Sequence, residues 1–217
     1  MPIHGIVPAL AAMVVGILAI SGLLVVGMAP VAGAAAGIVL LAGLALWVAT
    51  RGGAIIRDAG ARPLEPHDAP RFENIAAGLS TDLGMSKPGL WIVEEGGPNA
   101  FVAWSRGPQI GITRAVLTDF TRTEVEAIVA HCLVRVVSGE ARARTAATAL
   151  GPLAAGGARV GGALDVASAS LTRYPPALAS AIGKSTPRAG RYSGAWFSSE
   201  APSHVTPAER IAALDDL

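Results

Sequence analysis

The chain has 217 residues, of which 52% are hydrophobic and 15% charged, and its mean hydropathy of +0.50 is high for a protein held wholly in water. A formal net charge of +1, with no Lys/Arg-rich run interleaved with aromatics, argues against a nucleic-acid partner. The single cysteine, Cys132, excludes an intramolecular disulfide and a multi-cysteine zinc knuckle, and fits a soluble part that faces a reducing cytoplasm.

From Ile6 to Met28 the chain is almost entirely apolar, and after Ala29-Pro30 a second apolar run extends from Val31 to Val48. Each is long enough as a helix to cross the roughly 30 Å of hydrocarbon in a bilayer. Pro30 ends the first helix and opens the second, so residues 1–50 are expected to form a transmembrane hairpin with spans of about 6–28 and 31–49. A cleaved signal peptide is the competing reading, but Met1-Pro2-Ile3-His4 lacks Lys and Arg and a second span follows at once. Arg51, Arg57 and Arg62 cluster after the second span, which by the positive-inside tendency places the soluble part in the cytoplasm. Gly33, Gly37 and Gly43 with Ala34, Ala35 and Ala36 give the second helix a small-residue surface suited to close packing on another helix.

Residues 51–69, with Pro63, Pro66 and several glycines, are expected to be a juxtamembrane linker without regular structure. The spacing of Phe72, Ile75, Ala76, Leu79 and Leu83 predicts a helix from Pro70 to Leu83, stopped by Gly84. Residues 89–94, 100–104 and 109–112 read as three short strands with a turn at Gly96-Gly97-Pro98-Asn99, a small antiparallel sheet. A short helix is expected from Thr113 to Phe120, with Val116, Leu117 and Phe120 inward. Thr123-x-x-Glu126 has the pattern of a capping box and starts the helix that dominates the rest. Val125, Ile128, Val129, Cys132 and Val136 form its apolar stripe, while His131 and Arg135, four residues apart, share a face.

Residues 145–164 are apolar but built mainly of Ala and Gly, with Gly151-Pro152 and Arg159 inside. They are expected to form a broken helical segment folded back on the domain or lying at the membrane interface. Pro175-Pro176 begins a short helix to about Ile182, residues 189–203 are loop, and Thr206-Pro207-Ala208-Glu209 is a second capping box opening a helix to Leu217, with Ile211 and Leu214 inward. Tyr192, Trp196 and Phe197 in the loop are either an exposed docking element or a cover over the cleft beside His131, with the packed reading favoured.

The hairpin, Pro70-Arg71-Phe72-Glu73-Asn74, Pro98-Asn99-Ala100-Phe101, Ile112-Thr113 and Glu124 to His131 together resemble the membrane-anchored M48 zinc metallopeptidases of the HtpX/Ste24 type. The resemblance continues through Asp165, Leu171-Thr172, Tyr174 to Ala181 and Ser203 to Ile211. It implies an α+β fold: the two-helix hairpin, then at 70–217 a mainly helical, zincin-type cytoplasmic domain with the small sheet. It also implies a zinc site, in which two histidines one helical turn apart and a distal glutamate hold the metal and the glutamate of the HExxH motif activates water. Carried over residue by residue, the first histidine is His131, the motif glutamate falls on Cys132, the second histidine on Arg135 and the distal glutamate on Gly161. Asp165 alone is kept from the family's E-x-x-x-D pattern. The family-like fold also keeps His131 and Asp165 on one side of the membrane, against a single span through 145–164.

Arg135 is a permanent cation without a lone pair to offer a metal, and Cys132 points about 100° around the helix from His131. Cys132 on the apolar stripe reads as a buried structural thiol, and His131 as a hydrogen-bonded remnant, the only family ligand left. Asp165 is expected to orient a backbone group or pair with an arginine such as Arg135. A site assembled from His131, His204 and Asp165 or Glu200 would need loops to converge, and His4 and His67 stand apart. The sequence thus predicts no catalytic set, no metal and no cofactor, and a protein that is not an enzyme. The expected role is a scaffolding, accessory or regulatory subunit of a complex in the cytoplasmic membrane, with the lipid bilayer and other membrane subunits as partners. The alternatives are a divergent active membrane zinc metallopeptidase in protein quality control, and a regulator competing with an active paralogue for substrates.

Overall fold

The structure, a computed structural model, describes residue 22 and residues 30–150, 161–201, 205–215 and 217, with side chains described at these except 30–34, 44, 45, 48, 49, 149 and 150. By its contacts the chain divides into two compact units, Met1–Val48 and Ala49–Leu217. In the first, helix α1 (Pro30–Ala49, 20 residues) takes the stretch expected of the second span. The first expected span lies outside the described residues except for residue 22. Among the described residues no helix is long and apolar enough to cross a membrane.

The second unit opens with a correction. Where a linker without regular structure is expected, Arg51–Asp58 forms helix α2, with Ile55 and Ile56 buried. Two glycines in eight residues hide it from propensity, yet one of them makes the packing possible: a Cβ at Gly52 would lie 2.1 Å from the Trp104 carbonyl oxygen. Strand β1 (Arg62–Pro63) follows, then helix α3 (Pro70–Asp82), whose Phe72, Ile75, Ala76 and Leu79 are buried at the expected spacing.

Strands β2 (Gly89–Val93), β3 (Ala100–Trp104) and β4 (Pro108–Thr113) form with β1 a four-stranded sheet in the order β1-β2-β4-β3. The sheet is mixed rather than antiparallel, because β2 and β4 run parallel. The tight turn at Arg106-Gly107, both with positive φ, folds β4 back on β3, and the chain between β2 and β3 carries β3 to the outer edge. β4 therefore occupies a central place, which suits Ile110 and Ile112, each fully buried. Alternation along β3 divides its side chains between two cores. Ala100 and Val102 join the main core of the domain, and Phe101 and Ala103 join a smaller one with Ile55, Ile56 and Trp196.

Helix α4 (Arg114–Asp119) leads to the central helix α5 (Arg122–Val137). Its capping box is Thr121 with Glu124, two residues before the expected Thr123 and Glu126. Both pairs satisfy the pattern, and burial decides between them: Glu124 is 5% exposed and pinned by Lys184 Nζ at 2.7 Å. From Ala127 to Val136 every side chain of α5 is buried, because α3, the β3 edge, and helices α6 (Glu140–Leu150), α7 (Gly162–Thr172) and α8 (Pro175–Lys184) pack around it. Only a stripe is expected from periodicity.

Within the segment 145–164, α6 starts earlier, at Glu140, and residues 151–160 lie outside the described residues. α8 runs two residues past Ile182, and helix α9 (Pro207–Asp215) begins at the expected second box, with Thr206 Oγ1 accepting from Glu209 N at 3.3 Å. The loop 189–203 contains a 3₁₀ turn at Ser193–Ala195. Phe197 N donates to Ala100 O at 2.7 Å, which fastens the segment after this turn to the edge of β3.

The cap assignment predicts that Thr121→Ala lowers unfolding free energy by about 1 kcal/mol whereas Thr123→Ala is near neutral, measured by urea denaturation; equal effects would place the cap elsewhere.

Candidate functional site

The sequence pattern places His131 in the middle of α5, where its neighbours come from three other segments. Asp165 stands in the first turn of α7 and is fully buried; Arg210 is in α9 and 4% exposed; Phe197 follows the 3₁₀ turn. Arg210 reaches Asp165 with both arms of its guanidinium, Nε to Oδ2 at 2.8 Å and Nη2 to Oδ1 at 2.7 Å, and donates its remaining arm to Phe197 O at 2.7 Å. Its plane lies over the Phe197 ring, 4.6 Å to the centroid. His131 Nδ1 is 3.1 Å from Asp165 Oδ1, but the two are not aligned for a hydrogen bond. The imidazole meets the edge of Phe197 at 5.0 Å between centroids. Burial depresses the His131 pKa most, Asp165 partly opposes this, and Arg210 and Arg135 add to the depression, so the ring is neutral. Burial alone would raise Asp165, but the bonds from Arg210 and the contact with His131 outweigh it and hold the carboxyl at about 2.

Asp165 was expected to meet an arginine such as Arg135; the arginine is Arg210. Arg135, 1% exposed, turns the other way, because Glu140 at the start of α6 offers its carboxylate to Nε at 2.7 Å. Nη1 donates to Ala195 O and Trp196 O at 3.0 and 3.3 Å, and Nη2 to Gly194 O at 3.0 Å. Three successive backbone carbonyls of the 3₁₀ segment thus find donors on one side chain, which satisfies the requirement that buried carbonyls be paired. Asn99, the residue just before β3, anchors the same loop: its Nδ2 donates to Thr186 O and Ser198 O at 2.7 and 2.8 Å, and its Oδ1 accepts from Ser198 N at 3.1 Å. Trp196 and Phe197 are 2% and 1% exposed, so of the two readings for these aromatics the packed one describes them: Trp196 lies on Phe101 and Phe197 over His131.

These residues do not fit a zinc ion. Cys132 is fully buried and its thiol is pushed up to about 12 by desolvation, only partly offset by Arg135 and Arg210, so no thiolate is on offer. At Gly161, where the distal glutamate is expected, a Cβ would lie 2.8 Å from the Val205 side chain and 3.7 Å from Arg210 Cγ, and that space is already filled. Among the described residues no three His, Cys, Asp or Glu side chains come together in a way that could hold a metal. His67 sits exposed in a loop with φ 78°, apart from His131, while His4 and His204 lie outside the described residues. Arg210, Glu140 and Asn99 were not anticipated from the sequence. Arg210 had a signal, since it stands four residues before Leu214 and so shares the inner face of α9.

The chain is 29% identical to the protease HtpX homologue of Dictyoglomus turgidum over 99 residues, 44% of this chain and 32% of the relative. It is 32% identical to that of Thermococcus sibiricus over 93 residues (42% and 32%), and 33% identical to that of Tropheryma whipplei over 89 residues (40% and 30%). Over these stretches the chain is similar to the HtpX-like M48 proteases. Each match covers about a third of the curated relative's length. No family profile matches this chain, and no solved structure does. The matches correct the expectation that the protein is not an enzyme, because each of these relatives is named a protease.

The depressed Asp165 pKa makes a prediction about acid stability. Because its folded value, about 2, lies below the ordinary 3.8, the folded state binds fewer protons; the contribution is full above about pH 4 and is lost as pH falls through 2. It amounts to about 2 kcal/mol. Urea unfolding as a function of pH should lose that much stability between about pH 4 and pH 2, and Asp165→Asn, though less stable throughout, should show a flatter slope in this window. An unchanged slope would mean that Asp165 is not the titrating group.

Proposed function

We propose that this HtpX-like domain works as a scaffolding, accessory or regulatory subunit of a membrane protein complex. In this reading the apolar hairpin holds the chain in the cytoplasmic membrane as a multi-pass protein, with residues 70–217 on the cytoplasmic side. The observation that carries it is the state of the cleft beside His131: Phe197 lies on the imidazole, and Arg135 and Arg210 together fix the backbone from Gly194 to Phe197 over it. A cleft filled in this way leaves the outer surfaces of the domain, rather than the groove beside α5, as the place where a partner is met. The 52% hydrophobic composition and the uncharged helix Pro30–Ala49 support the membrane part of the reading.

The names of the relatives favour a second reading, a divergent membrane peptidase acting through an unfamiliar site. One experiment separates the two. Tagged full-length chain extracted in mild detergent should elute with a membrane protein at fixed stoichiometry, measured by light scattering, and should retain that partner in the His131→Ala variant. A chain that elutes alone and cleaves a casein-like substrate, with cleavage lost in His131→Ala, would overturn the subunit reading in favour of the peptidase.

A further inference from the structure

Arginine is unevenly spread over the second unit. α2, the Trp104–Gly107 turn, α6 and the segment 186–200 pack on one another around the β3 edge and form one continuous side of the domain. These segments hold seven arginines against three carboxylates, whereas the rest of the chain holds ten Lys or Arg against thirteen Asp or Glu. The near-neutral total therefore conceals a basic side. Arg57, Arg106, Arg142, Arg188 and Arg191 on it are exposed, and among the described residues none of them pairs with a carboxylate. The contrast with the opposite end of the sheet is direct, since Arg62 and Arg114 there are bound to Asp68 and Glu94.

Three of the five lie on aromatic rings. Arg142 is 5.7 Å from the Trp104 centroid, Arg188 is 5.1 Å from that of Trp196, and Arg191 is 5.6 Å from that of Tyr192. A guanidinium stacked on a ring is held in orientation while its N–H edge stays free, and that edge matches phosphate oxygens two at a time. Partly exposed Trp104 and Tyr192 add the amphipathic aromatics that settle at headgroup level. In the sequence, Arg51 at the start of this side is separated only by Thr50 from an uncharged 20-residue helix.

We propose that this arginine-rich side, centred on Arg142, Arg188 and Arg191, docks on the phosphate headgroups of an anionic lipid surface. An anionic phospholipid bilayer supplies a plane of phosphates and a negative surface potential, and each arginine near it contributes about a factor of 5 to binding. The docking goes beyond the subunit reading and rests on it only for the membrane anchor.

The test uses full-length chain in nanodiscs of phosphatidylcholine alone and of phosphatidylcholine mixed with phosphatidylglycerol, read by amide hydrogen exchange. Residues 140–148 and 186–196 should exchange several-fold more slowly in the anionic discs, with the difference removed by high salt. The triple substitution Arg142→Gln, Arg188→Gln, Arg191→Gln should cut the docked population ratio by about a hundredfold and abolish the difference, while the variant, which also loses three arginine–ring contacts, still unfolds cooperatively on heating. Equal exchange in the two disc compositions would overturn the proposal, as would protection that appears with added RNA or acidic peptide and not with anionic lipid. A chain that fails to enter either disc contradicts the membrane-held subunit instead; cosedimentation with phosphatidylglycerol vesicles against phosphatidylcholine vesicles then decides the docking by itself.

Discussion

The buried contact between Arg210 and Asp165 joins two helices whose residues lie 45 apart in the sequence. Both carboxylate oxygens and all arms of the guanidinium are used, so the pair brings α9 onto α7, closes the carbonyl of Phe197 and leaves Asp165 Oδ1 beside His131. A buried ion pair of this kind stabilises only when its remaining hydrogen-bonding capacity is met, and removing one partner generally costs about 3–5 kcal/mol because the other charge is stranded. Arg135 repeats the arrangement one helical turn further along α5, with Glu140 as its carboxylate and three loop carbonyls as its acceptors. Between them the two guanidinium groups hold four successive carbonyls of the same loop, from Gly194 to Phe197.

This arrangement explains why the residues at the metal positions cannot be considered singly. Arg135, at the position where the resemblance would put a second histidine, is a buried cation that Glu140 at the start of α6 neutralises. The glycine at 161 is accompanied by Val205, whose side chain fills the space a longer residue would need, and by Arg210, which takes over Asp165. His131 keeps its place on the helix but is surrounded by an aromatic ring, a carboxylate already engaged by arginine, and a depressed basicity that follows from burial. The substitutions form one interlocking set.

Much of the fold was legible because its elements are local. α3, β2, β3, β4, α4, α8 and α9 follow from apolar spacing, proline at helix starts and glycine at ends, and the box at Thr206 and Glu209 needs only four residues. The family resemblance, too, was legible in Pro98 to Phe101 and Glu124 to His131, and the matched HtpX homologues agree with it. What escaped was non-local. α2 is held by contact with β3 rather than by propensity, and the parallel pairing of β2 with β4 depends on where β3 is carried. The choice between the boxes at Thr121 and Thr123 is made by Lys184 and Ser180 on another helix. The partner of Asp165 could not be assigned because arginines at 135 and 210 are equally competent as residue types, and only burial of α9 against α7 brings one of them within 2.7 Å.

The central claim is that the residues around His131 form an ion-pair lattice closed by Arg135 and Arg210, whose chemistry does not fit a zinc ion. Zinc titration of the purified full-length chain by calorimetry, with His131→Ala as the control, tests it most directly. The account predicts no saturable binding that depends on His131, whereas one equivalent of zinc bound by the natural chain and lost in His131→Ala would contradict it.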